Sequence, residues 1–89
     1  MLPSKVNIAP DILFQELGSE TVLLNLENEQ YFELNEVGGR FWELLVEHGS
    51  TDAVLAQMEK EYDATPESLR SDLSSLLTKL VESGLVKTE

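Results

Sequence analysis

The sequence predicts an α+β domain in which a three-stranded antiparallel sheet is followed by a three-helix bundle. Three observations lead there. Apolar residues follow a period of about two as far as Leu34, two short polar turns interrupt that pattern, and from Asn35 the period lengthens to 3.6 within segments bounded by capping residues. The 89 residues make one domain. A chain this small buries only about 60–65% of the surface its unfolded form exposes, so one core claims nearly every large apolar side chain and leaves little for a deep substrate cavity.

Residues 1–10 carry Pro3 and Pro10 without periodicity and are expected to form a flexible N-terminal arm, with the folded domain at 11–89. Ile12 to Leu17 is a run of strand length, closed by the turn residues Gly18-Ser19-Glu20. Thr21 to Leu26 reads as a half-buried strand with Val22, Leu24 and Leu26 on its inner face. The polar Glu27-Asn28-Glu29 turns the chain back into Gln30-Tyr31-Phe32-Glu33-Leu34, with Phe32 and Leu34 inward and Tyr31 and Glu33 outward. The third strand of such a meander is an edge, and an edge displays unpaired backbone N–H and C=O groups.

Asn35 is a good N-cap, and Val37, Phe41, Leu44 and Leu45 form an apolar face up to Gly49, so the first helix spans about 36–48. Ser50 or Thr51 caps a second helix carrying Val54, Leu55, Met58 and Tyr62 on one face. Thr65-Pro66-Glu67 combines an N-cap, a proline suited to the first helical position and an acid near the positive end of the dipole, opening a third helix that runs to Ser83 and stops at Gly84. Leu85-Val86 is expected to pack back or to pair as a strand. In the third helix Leu69, Leu73, Leu76, Leu77 and Leu80 spread widely over the cylinder. Either all five are core, or Leu69 and Leu76 line a groove beside the sheet. Gly38-Gly39 lies in the first turn of a helix, where each glycine lowers helix propensity by about 1 kcal/mol, so a close approach of that turn to the sheet is expected, with contact to a ligand backbone as the alternative. Trp42 reads as core or rim.

The net charge of −11 comes from 17 acids against six bases and is shared between both halves of the chain. Such a surface repels nucleic acid and anionic lipid, which are bound by clustered Lys and Arg, and it either serves solubility or attracts a basic partner. The chain has no cysteine, hence no disulfide framework, thiolate metal site or cysteine nucleophile, and a reducing cytoplasm fits. No apolar run suits a signal peptide or a membrane span. The single histidine, His48, stands at the end of the first helix, where a partly charged imidazole suits the dipole. Glu43 and Glu47 are four residues apart and read as a solvated face before they read as a cation site. Nucleophile-elbow, Walker-type and dinucleotide glycine patterns are missing, as is a calcium loop. No catalytic group, metal or cofactor is expected.

Three stretches carry a family resemblance: Val22 to Leu26 leading to Tyr31 through Gly38, then Phe41-Trp42-Glu43-Leu44-Leu45, then Leu69 through Asp72-Leu73 with Leu76-Leu77, Leu80 and Gly84-Leu85-Val86. Together they resemble the small protein D (PqqD-like) family of pyrroloquinoline quinone synthesis, whose domain recurs as the recognition element for ribosomally made, modified peptides, lasso-peptide systems included. The likeness covers about residues 12–86, departing from the family pattern near Glu29, where a glycine is expected. It implies a fold similar to a winged helix-turn-helix. It also implies that the chain binds the leader region of a precursor peptide as an added strand and presents it to a separate modifying enzyme or leader peptidase. The candidate peptide-binding residues are then Gln30, Tyr31, Phe32, Glu33 and Leu34 on the edge strand, with Leu69, Asp72, Leu73, Leu76 and Lys79 on the third helix. A homodimer formed by segment swapping stays open. The alternative is a winged-helix DNA-binding regulator, yet the third helix carries Glu67, Arg70, Asp72, Lys79 and Glu82 and so offers no basic face.

Overall fold

The computed structural model describes residues 3–88. The elements run β1 (Val6–Ile8), β2 (Ile12–Leu17), β3 (Glu20–Asn25), β4 (Gln30–Leu34), α1 (Glu36–His48), α2 (Thr51–Glu61), α3 (Pro66–Glu82) and β5 (Val86–Thr88). Strands β2, β3 and β4 form an antiparallel meander in that spatial order. Its first turn is the two-residue Gly18-Ser19, with Gly18 at φ 67° in the first central position, where a II′ turn needs it. In the second turn Glu29 takes φ 58°, in the left-handed region that favours glycine, and the side chain of Asn28 accepts a hydrogen bond from the Gln30 amide at 3.0 Å.

The helix boundaries follow their caps. The Asn35 side chain accepts from the Gly38 amide at 2.8 Å, and Gly49 closes α1 at φ 67°. Ser50 and Thr65 cap α2 and α3, with Pro66 in the first turn of α3. Helix α1 touches β1, β3, β4 and both other helices and so organises the core. It contributes the buried Phe41, Trp42, Leu44 and Leu45, which join Leu23 and Leu34 from the sheet, Val54 and Met58 from α2, and Leu69, Leu73, Leu77 and Leu80 from α3. Trp42 is fully buried, with the Phe14 ring edge-on to it at 6.0 Å.

The structure corrects two expectations. Residues 6–8 do not form a loose arm: they pair antiparallel with Val86–Thr88, Val6 is buried, and its amide donates to the Gly49 carbonyl at 3.0 Å. Thr51 fastens the same segment, its hydroxyl donating to the Pro3 carbonyl at 2.7 Å. The second correction is the inner face of β3, which consists of Thr21, Leu23 and Asn25, leaving Val22 and Leu24 half-buried on the other side and Leu26 exposed. Two polar side chains hold the strand this way round. Thr21 lies against Gly39, where an added Cβ would fall 2.5 Å from its Oγ1, so the glycine is what lets helix and sheet approach. Asn25 Oδ1 accepts from the Glu27 amide at 2.9 Å and its Nδ2 donates to the Gly84 carbonyl at 3.4 Å, satisfying a buried amide.

Candidate functional site

A groove of about 370 Å³ runs between β4 and α3. The chain reaches α1 from β4 through the single residue Asn35, so the start of α1 forms the floor of the groove. The lining is apolar in the middle, with Phe32, Leu34, Val37, Phe41 and Leu76, and polar at the rim, with Glu33, Asn35, Asp72, Ser75 and Lys79. Asp72, Ser75, Leu76 and Lys79 fall at i, i+3, i+4 and i+7, which places them on one face of α3. Asp72 and Lys79 thus stand about 10 Å apart along the axis, the length of roughly three residues of extended chain. Gly38 also lines the groove; a Cβ there would sit 3.3 Å from the capping oxygen of Asn35 and 3.5 Å from Leu34.

The β4 edge flanks this groove, and its hydrogen-bonding parity can be worked out. The two-residue turn makes Leu17 and Glu20 a hydrogen-bonded pair, and the Leu26 amide donates to the Asp11 carbonyl at 2.9 Å at the other end of the hairpin. Even-numbered residues of β3 therefore bond to β2, and Thr21, Leu23 and Asn25 bond to β4. Their register partners Leu34, Phe32 and Gln30 spend their backbone groups inward, leaving those of Tyr31 and Glu33 directed outward along the open edge.

Of the residues expected in the site, Phe32, Glu33, Leu34, Asp72, Leu76 and Lys79 come together around the groove. Gln30 and Tyr31 lie on the same strand, exposed and outside the lining. Leu69 and Leu73 do not reach it: both are buried, Leu73 completely, and Leu69 borders a separate cleft toward α2 with Leu55 and Pro66. The leucine stripe on α3 is thus core apart from the half-buried Leu76. Asn35, Val37, Phe41 and Ser75 were not anticipated, although the i, i+3, i+4, i+7 spacing from Asp72 points to Ser75; Gly38 was read as a point of ligand contact only as the alternative to its approach to the sheet.

A second cleft, beside the first hairpin turn, is lined by Glu16, Glu20, Glu36, Arg40, Glu43 and Tyr62. Here Arg40 is the organising cation. Its guanidinium grips Glu61 with two hydrogen bonds, of 2.7 and 2.6 Å, and reaches Glu43 at 3.2 Å. The Arg40 bonds, supported by a 2.9 Å bond from Gln57, pull the Glu61 carboxyl down to about 2. The hydrogen bond that the protonated Glu16 carboxyl donates to Glu43, together with the negative charge of Glu43, holds Glu16 above the usual carboxylate range. Glu43 pairs with Arg40 across one helical turn. Among the described residues no three His, Asp or Glu side chains converge as a metal site, and no helix is long and apolar enough to cross a membrane.

Sheet, groove and open edge define a winged-helix-like α+β binding domain. Residues 20–86 match the family described as coenzyme PQQ synthesis protein D (PqqD), and the chain belongs to that family. Among solved structures it is similar to TbiB1 in complex with the TbiA(beta) leader peptide. The TM-score is 0.85 at 28% identity, over 91% of this chain and 94% of that one. It also shares its fold with a lasso peptide synthetase B1 complexed with the leader peptide, with a TM-score of 0.82 at 23% identity over 94% and 99% of the two chains. No curated protein matches the sequence.

Proposed function

We propose that this chain captures the leader region of a ribosomally made precursor peptide as a fourth strand on β4 and presents it to a separate modifying enzyme or leader peptidase. The observation that carries this reading is the open β4 edge beside an apolar groove. Main-chain bonds to Tyr31 and Glu33 supply affinity whatever the guest sequence. Alternate guest side chains enter the groove between Asp72 and Lys79 and supply selectivity. The 28% identity to TbiB1, which was solved with a leader peptide, supports the same reading. The chain acts as an adapter in the cytoplasm and leaves the peptide chemically unchanged.

A DNA-binding role has no basic surface to rest on: residues 12–34, which build the sheet, hold five glutamates and neither lysine nor arginine. The test is calorimetric titration with candidate leader peptides. Saturable binding lost on truncating the peptide's groove-facing apolar residues is expected, and no heat with any leader at millimolar concentration overturns the proposal. Trp42, fully buried and absent from the groove lining, is a weak fluorescent reporter for this experiment.

A further inference from the structure

The meander has a second face. Its inner side packs on α1, whereas Leu13, Leu24 and Tyr31 lie in register across all three strands on the opposite side, and Leu17 continues that surface toward the first turn. Leu13 and Leu17 are each 56% exposed and Tyr31 69%, while Leu24, on the central strand, is half-buried. Single exposed apolar residues are ordinary, but an in-register row across a whole sheet is a contiguous patch, of the kind that marks an interaction surface.

Charge selects the occupant. Glu20 and Glu33 share this face by parity and Glu27 and Glu29 stand at its hairpin end, with no basic residue anywhere in residues 12–34. A second copy of the chain would bring two sets of these carboxylates together without a counter-charge, which costs affinity at an interface. A partner with an apolar centre ringed by lysine and arginine meets both the patch and its rim. Location adds the third argument. Tyr31 and Glu33 belong to β4, so a strand added to that edge extends this same face, and a protein seated on it touches the chain and the captured peptide together.

We propose that the outer face of the meander, centred on Leu13, Leu17 and Leu24, docks the catalytic partner through a basic-rimmed apolar surface. This rests on the peptide-capture reading for the partner's identity, though not for the existence of the surface. The probe is the purified enzyme that processes the leader-bearing precursor, titrated against the wild-type chain, the double variant Leu13→Lys/Leu17→Lys and the single variant Glu20→Lys. The double variant is expected to weaken enzyme binding at least tenfold while leader affinity stays within twofold, because both substitutions lie on β2, away from the groove. Glu20→Lys should weaken binding more at low than at high salt. If the double variant does not keep the wild-type circular dichroism and melting transition, Leu17→Ser replaces it and is expected to weaken enzyme binding severalfold.

Enzyme affinity unchanged in the folded variants overturns the inference. So does a wild-type dimer in sedimentation velocity that the same substitutions dissociate, which would assign the face to a second copy. Failure of the capture reading looks different: the leader then does not bind the wild-type chain, while enzyme binding still depends on Leu13 and Leu17.

Discussion

Gly39 shows how one missing side chain sets the distance between helix and sheet. Its Cα faces Thr21, and a methyl group there would meet the threonine hydroxyl at 2.5 Å. Gly39→Ala is therefore expected to destabilise the fold by about 1–3 kcal/mol, as overpacking does, despite the better helix propensity of alanine. Adding Thr21→Ala should recover part of the loss, and a double-mutant cycle in urea measures the coupling; strict additivity would refute the contact. Leu76 and Leu73 differ in the same residue-by-residue way. Leu76 lines the groove and Leu73 is fully buried. Leu76→Ala should weaken leader binding at least fivefold with little change in melting temperature, and Leu73→Ala should cost roughly 2–5 kcal/mol of stability. The caps at Asn35 and Thr65 and the glycine stops were legible in the sequence, because each acts through neighbours within four residues. The roles of Asn25 and Thr21 were not, because their partners Gly84 and Gly39 lie far along the chain.

At the scale of elements, β3 shows what a periodic reading can and cannot decide. Thr21 to Leu26 contains apolar residues in both parities, so alternation alone does not choose a face, and the more apolar set turned out to be the outer one. β1 lay beyond reach for another reason: a three-residue strand is too short to show a period, and its partner β5 lies some eighty residues away. β4, by contrast, was read correctly in boundaries and facing, since Phe32 and Leu34 alternate with polar or amphipathic neighbours and a turn signal precedes them. Its outward parity gives a sharp expectation. Proline removes a backbone donor and is tolerated on an edge only where that donor faced solvent. Tyr31→Pro and Glu33→Pro should thus leave a folded chain whose leader affinity falls more than tenfold, and Phe32→Pro should disrupt the sheet itself. Hydrogen exchange of the free and leader-saturated chain provides the check. The Tyr31 and Glu33 amides should slow only with leader present, and equal exchange in both states would rule out strand addition.

For the whole molecule, a net charge of −11 makes local cations count. The Arg40–Glu61 pair ties α1 to α2, and Glu61 is held at about 2, below its ordinary 4.5. A depressed carboxyl stabilises the fold fully above its unfolded pKa and loses that contribution as pH falls through the folded one. Glu61→Gln should therefore lower stability at neutral pH by up to about 1 kcal/mol, and its deficit should shrink between pH 4.5 and 2, as followed by urea unfolding along the acid limb. The remaining acids act at longer range. Composition made this surface legible from the start, though not what it attracts, because charge carries no address. The fold narrows the choice by gathering only acids on the sheet while placing Lys79 beside the groove. On the proposed docking a partner with a basic face would be steered toward the sheet before contact, and exposed charges are screened beyond about 10 Å at 0.1 M salt. Stopped-flow association of the processing enzyme should accordingly slow about tenfold or more between roughly 0.02 and 0.5 M salt, with dissociation changing less than twofold. A short-range apolar contact without steering would give the reverse, a flat association rate, and would leave solubility as the role of the charge.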